Sequence, residues 1–340
     1  MLVKVKLKVF RNDMDFRTTI RTVDNLGIMH HDDAMMLLGS CFSDNIGGKL
    51  RSAMVNVDVN PFGTIYNPFS ISQSVERIIS GEPECGADLF SASGVWNSYD
   101  FHSRFSLVDK DATLQKMNER IGIAHEHLKQ CQTLIITLGT AVVYRLRETN
   151  QVVANCHKVP QHNFTRKMAS VEEMTEVLSH AVEQLCKFNS TLRIIFTVSP
   201  IRHIADGLEM NSLSKAALRV AVGNVNRVYK DCTSYFPAYE IMMDDLRDYR
   251  FYAPDMVHPS DVAIEYIWQV FQGTYFDDAS CQAIARCERV MKRLNHRPMS
   301  GNREVVDRFN ADTRAVVRNL VKEYPYIEKI KELQNLIEEQ

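Results

Sequence analysis

Glycine and proline are scarce in this chain, 14 and 10 of 340 residues, which excludes collagenous and low-complexity architectures. An excess of either charge is missing too. The 40 basic and 42 acidic side chains leave a net charge of −2, no footprint for nucleic acid or an anionic membrane surface. No apolar run approaches the roughly 18 residues that cross a bilayer, and the opening MLVKVKLKVF has neither an apolar core nor a small-residue cleavage site. None of the eight cysteines (Cys41, Cys85, Cys131, Cys156, Cys186, Cys232, Cys281, Cys287) forms a CxxC pair, so a zinc knuckle is not expected. Cys131 and Cys186 read as small buried hydrophobes. No Walker loop and no GxGxxG follows a strand, so neither a nucleotide cofactor nor a metal is expected. The expected setting is reducing and cytoplasmic.

What is present is ordinary globular material, 45% hydrophobic and 24% charged. Short apolar runs alternate with longer amphipathic ones, the pattern of βαβ units around a parallel sheet. Strands are expected at Met35–Leu38, Val55–Val59, Thr133–Leu138, Arg193–Val198 and around Tyr235–Tyr239. Helices are expected over 43–54, 70–79, 111–130, 171–188, 212–230 and 261–273, the fourth started by Ser170 with Glu173 completing a capping box. Residues 82–105 and 145–168 read as long irregular excursions, the first aromatic-rich and a candidate binding loop. From about Ala279 only mixed-charge helical segments remain, interrupted at Asn295-His296-Arg297-Pro298. They are expected to pack on the main domain or on a second copy, as a homo-oligomer. The expected division is an extension over 1–14, where Met14 starts a second plausible reading, an α/β domain over 15–277 and helices over 278–340.

Ligands in open parallel sheets sit at the carboxyl ends of strands. Four places there carry chemistry: Gly39-Ser40-Cys41-Phe42-Ser43, Asn60-Pro61-Phe62-Gly63, Gly139-Thr140-Ala141 and Asp255-Met256-Val257-His258. The first puts two nucleophile-capable side chains at a helix start, where free N–H groups favour a thiolate or oxyanion. The bland alternative is a serine N-cap beside a buried cysteine. In the fourth, a carboxylate three residues before an imidazole can orient it as a base.

Together LLGSCFSDNIG, NPFG, ITLGT and DMVHPS resemble the GSCFA family, a branch of the SGNH/GDSL-type hydrolases. The resemblance implies a flavodoxin-like three-layer α/β/α fold. It places Cys41 where the nucleophilic serine stands and Ser40 where the preceding Asp stands. Gly63 matches the second oxyanion element and Gly139 the start of the third, with Asp255 and His258 as the acid–base pair. The usual oxyanion asparagine is replaced by Ala141, so either Asn67, Asn155 or Thr140 substitutes as donor or activity is slow or lost. His258 and the helix dipole are expected to acidify the Cys41 thiol.

The implied activity is acyl transfer, hydrolytic or to an acceptor, on an acetyl-type ester of a carbohydrate or other small molecule. The rival expectation is a degenerate fold that binds a glycan or protein partner without turnover. His102 and Arg104 in the aromatic loop, and Arg202 and His203 after the fourth strand, are expected to line the substrate site, the first pair suiting a sugar. Asn155-Cys156-His157-Lys158 reads weakly as a cluster, Asp244, Asp245, Arg247 and Asp248 as a solvated helix face, and the aromatics of 249–252 as core or pocket wall.

Overall fold

Strands that are apolar at every position need cover on both faces. The computed structural model, which describes residues 17–22, 26–296 and 302–329, meets that need with helices on each side of one sheet. The expected N-terminal extension lies outside the described residues. The first half of the chain runs β1 (Ala34–Gly39), α1 (Cys41–Ser52), β2 (Asn56–Val59), α2 (Pro68–Ser80), β3 (Phe90–Ala92), β4 (Val95–Asn97) and α3 (Lys110–Lys129). There follow β5 (Thr133–Leu138), β6 (Val142–Leu146), β7 (Val152–Val153), β8 (Phe164–Met168), α4 (Val171–Phe188) and β9 (Arg193–Val198). The remainder is α5 (Gly207–Val228), β10 (Thr233–Tyr235), the short α6 (Ala238–Glu240), α7 (Asp261–Tyr275), α8 (Asp278–Leu294) and α9 (Arg303–Glu323).

The main sheet has five parallel strands in the order β10-β9-β5-β1-β2. Period-two alternation splits its side chains into two cores. Met36, Leu38, Leu134, Ile136 and Phe196 pack with α2, α3, α4 and α5. Met35, Leu37, Ile135 and Ile195 pack with α1 and α7, where Trp268 and Phe271 fill the layer. This is the expected three-layer α/β/α arrangement. The chain starts in the middle at β1, steps outward to β2, then returns past β1 to β5. Adjacent strands β1 and β5 therefore form the topological switch point, where connections leave in opposite directions and a crevice opens.

Local signals hold where they are strong. Ser170 and Glu173 form the reciprocal capping box, worth about 1 kcal/mol, and α4 spans the expected residues. α1 begins at Cys41, two residues earlier than expected, because Ser40 and not a later residue caps it. The excursion after β5 is not irregular: β6, β7 and β8 make a small antiparallel sheet in the order β7-β6-β8. The earlier aromatic stretch contains the hairpin β3–β4.

Asp245 is not solvated. It is buried, pairs with Arg17 and accepts from Tyr266 Oη at 2.6 Å. Cys131 is buried as expected, but Cys186 is half-buried with its Sγ 3.2 Å from that of Cys232. α8 contributes Ile284 to the second core. A satellite cluster joins its Cys287 and Val290 to Val317 and Leu320 of α9 and to Met54.

Candidate active site

The turn after β1 is built around Gly39, whose φ of +141° suits glycine alone. A Cβ there would lie 2.2 Å from the Thr137 carbonyl oxygen. The Gly39 N–H donates to Asn60 Oδ1 (2.9 Å), and the Asn60 amide donates to Asp44 Oδ1 (2.8 Å). Fully buried Asn60 thus ties the end of β2 to the start of α1. Ser40, 1% exposed, accepts the Phe42 N–H on Oγ at 3.3 Å and the Ser43 N–H on its carbonyl at 2.8 Å. Its hydroxyl is the helix cap. The next side chain, Cys41, is half-buried and faces the crevice.

The second half of the site is the loop before α7. The Ala253 N–H donates to the His258 carbonyl at 2.7 Å, and Met256 takes φ +58° to let the chain turn. Asp255 Oδ1 accepts the N–H groups of His258 (3.0 Å) and Val257 (2.9 Å), while Oδ2 accepts from His258 Nδ1 at 2.6 Å. These donors, the backbone ones foremost, hold the Asp255 carboxyl down at about 2. A carboxylate at Nδ1 keeps the proton there and leaves Nε2 as an acceptor. Nε2 points to Cys41 Sγ, 3.8 Å away.

Burial pushes the Cys41 thiol above its ordinary 9, and Asp44 adds to the rise. The N–H groups of Cys41 and Phe42 and the Lys215 ammonium oppose it without cancelling it. The expected acidified thiol is therefore not found. The direction of the shift favours the thiol over the thiolate in the resting site.

The chain matches the GSCFA family model over residues 34–271. It belongs to the GSCFA family. No curated protein matches it. A similar solved structure is that of an acetyl xylan esterase from the rumen bacterium Butyrivibrio proteoclasticus, 10% identical, with a TM-score of 0.39 over 72% of this chain. The chain covers 63% of that protein's length.

In this GSCFA chain the four strand-end motifs divide into wall and scaffold. A cavity of about 500 Å³ opens over Cys41 and His258, and Asn67, Thr140, Arg202 and His203 share its lining. Gly63, Gly139, His102 and Arg104 are absent from that lining. The Gly63 N–H is spent on Asn60 O (2.8 Å), and at φ +100° the residue presses so closely on His102 that a Cβ would meet it at 2.1 Å. The Gly139 and Thr140 N–H groups both donate to the Tyr66 carbonyl, at 2.7 and 3.0 Å. Neither glycine has an N–H left for an oxyanion. His102 caps its own turn by accepting the Arg104 N–H, and Arg104 donates to Asn60 O at 2.5 Å. Both brace the NPFG turn rather than a ligand. Asn155 Oδ1 accepts the His157 N–H, and the buried His157 ring bonds Ser98 O at 2.7 Å, so these two residues brace a turn, while Cys156 between them lines the cavity. Among the described residues no His, Cys, Asp and Glu cluster could hold a metal ion.

Two donors do remain at the wall. The Cys41 N–H opens α1 with no carbonyl acceptor among the described residues. The Asn67 amide caps α2 by accepting from the Ser70 N–H (2.9 Å) and gives one hydrogen to Ser70 Oγ (3.0 Å). Its second hydrogen has no acceptor among the described residues.

One site residue escaped the sequence reading. Lys215, 1% exposed, donates from Nζ to the carbonyls of Gly139 (2.7 Å) and Ser199 (2.8 Å), the residues that directly follow β5 and β9. Burial lowers its ammonium to about 7. Beside it His203 is held neutral, at about 4, by burial and by the Lys215 charge, with its Nε2 buried and unbonded. The signal was present: Lys215 shares the apolar stripe of α5 with Leu218 and Val222.

Proposed function

We propose that this GSCFA protein is an acyl-transfer enzyme with Cys41 as nucleophile, His258 as acid–base and Asp255 as the group that orients His258. The Cys41 Sγ–His258 Nε2–Asp255 alignment carries this reading. The Sγ proton passes to Nε2 as sulfur bonds to the ester carbonyl carbon. The carbonyl oxygen, now anionic, is met by the Cys41 N–H and the spare Asn67 hydrogen. As the tetrahedral species collapses, the C–O bond to the alcohol breaks and the imidazolium returns its proton to that oxygen. A water or a second alcohol, deprotonated by His258, then attacks the thioester; sulfur leaves and takes the proton back as a thiol. The outcome is hydrolysis or transfer according to the acceptor.

The carbohydrate ester is what the resemblance implies; His102 and Arg104, the pair expected to suit a sugar, are not in the cavity lining, so the acceptor is left out of this reading. Turnover of p-nitrophenyl butyrate tests it. Activity lost in His258→Ala and kept in His180→Ala, an exposed histidine on α4, supports the enzyme. Equal rates in the two variants remove His258 from the reaction and overturn this reading, and no turnover in the wild type leaves the non-catalytic binding module.

A further inference from the structure

The cavity over Cys41 is far larger than an acetyl group needs, and its wall has a chemical character. The sheet β6–β7–β8 supplies one side of it. Alternation puts Val142 and Tyr144 of β6 on the same face, and pairing brings Val153 opposite Tyr144. Ala154 extends this wall, and Ile204 and Ala205 close the other side. Ile204 on this wall stands 51% exposed, an apolar group left in water at the mouth of the cavity.

The charges on the wall are already engaged. Arg166 lies opposite Tyr144, donates to its hydroxyl at 2.7 Å and is ion-paired with Asp206. The Arg202 guanidinium lies 3.9 Å from the Tyr252 ring centroid, stacked on the aromatic. The groups left free to act on a carbonyl, the Cys41 N–H, the spare Asn67 hydrogen and His258 Nε2 at 3.8 Å from Cys41 Sγ, belong to the same cavity.

From this polarity we infer that the site takes esters of a medium-length aliphatic acyl chain, with the carbonyl at Cys41 and the chain laid along the β6–β7 wall. The inference rests on the acyl-transfer reading for its chemistry and on the wall alone for its chain preference. Burying each methylene there raises kcat/KM by about two- to fourfold.

The experiment compares p-nitrophenyl acetate, butyrate and hexanoate on the full chain, wild type and Ala154→Phe. Ala154 is half-buried on the wall, and the larger ring shortens the space for the chain. In the wild type kcat/KM rises at least tenfold from acetate to hexanoate, and in Ala154→Phe the hexanoate-to-acetate ratio falls about tenfold. A wild-type profile that is flat or highest for acetate overturns the inference.

A second arm needs no turnover: alkylation of Cys41 by iodoacetamide and by N-hexyl iodoacetamide, read by peptide mass with Cys41→Ser as blank. The hexyl reagent reacts at least fivefold faster if the wall binds the chain; equal rates overturn the inference. If every ester is inert while the hexyl preference holds, the acyl-transfer reading fails and the apolar chain site stands.

Discussion

Cys41 Sγ and His258 Nε2 lie 3.8 Å apart although 217 residues separate them in the chain. One is delivered by the turn after β1 and the other by the loop before α7, and the parallel sheet brings the two loops to the same edge. Neighbouring Ser40 is turned inward to cap α1.

That division of labour separates two mutants. Ser40→Ala loses the cap and about 1 kcal/mol of stability, seen as a lower urea midpoint, while ester turnover persists at a reduced rate. Cys41→Ser keeps the fold and a small residual activity, since an oxygen nucleophile can use the same imidazole. A Ser40→Ala variant with wild-type stability and no turnover contradicts both assignments.

Asp255→Asn keeps the loop bonds to the Val257 and His258 N–H groups but removes the charge that fixes the Nδ1–H tautomer. Turnover falls by about 10²–10⁴-fold, the range for a general base. The melting temperature changes little, because Asp255 is exposed. The carboxyl, held at about 2, stays ionised across the physiological range, so acid loss of activity above pH 4 does not come from it. A large fall in stability with intact turnover would reverse this assignment.

A thiol raised above 9 has a plain pH signature. Carboxamidomethylation of Cys41, followed on its own peptide, accelerates from pH 7 through pH 9 without levelling. A plateau reached below pH 7 would show a preformed thiolate–imidazolium pair instead.

Lys215 makes stability depend on pH. Its folded-state value of about 7 lies below the ordinary 10.5 of the unfolded chain, so between those values the unfolded state binds more protons. This group therefore lends stability as pH rises from 7 to 10.5. In Lys215→Met that contribution disappears, and the slope of unfolding free energy against pH in this window becomes less positive than in the wild type. An unchanged slope would mean that the lysine titrates as though exposed.

The parts of this arrangement differ in how far sequence reveals them. β5, β9 and α4 were legible residue by residue, because six-residue strands dominated by Leu, Ile, Phe and Val and buried at nearly every position, and a Ser170–Glu173 capping box, leave little choice of conformation. Cys41, Asp255 and His258 stood out because strand-end position and the i, i+3 spacing express their geometry locally. The β6–β7–β8 sheet did not: its strands are short and of mixed polarity, and their pairing, Tyr144 with Val153 and Arg166, is a long-range event. Lys215 and Asp245 are buried charges whose partners are distant strand-end carbonyls and Arg17, which no local pattern announces. Gly63 and Gly139 hold motif positions, yet their N–H groups are taken by Asn60 and Tyr66, a fact of backbone geometry alone.

The most direct measurement is the intact mass of the protein mixed rapidly with p-nitrophenyl butyrate, quenched in acid and mapped by peptide. The Cys41 mechanism predicts one butyryl group on the peptide carrying Cys41, released by neutral hydroxylamine and absent from Cys41→Ala. An adduct on Ser40, or turnover that continues undiminished in Cys41→Ala, would contradict it.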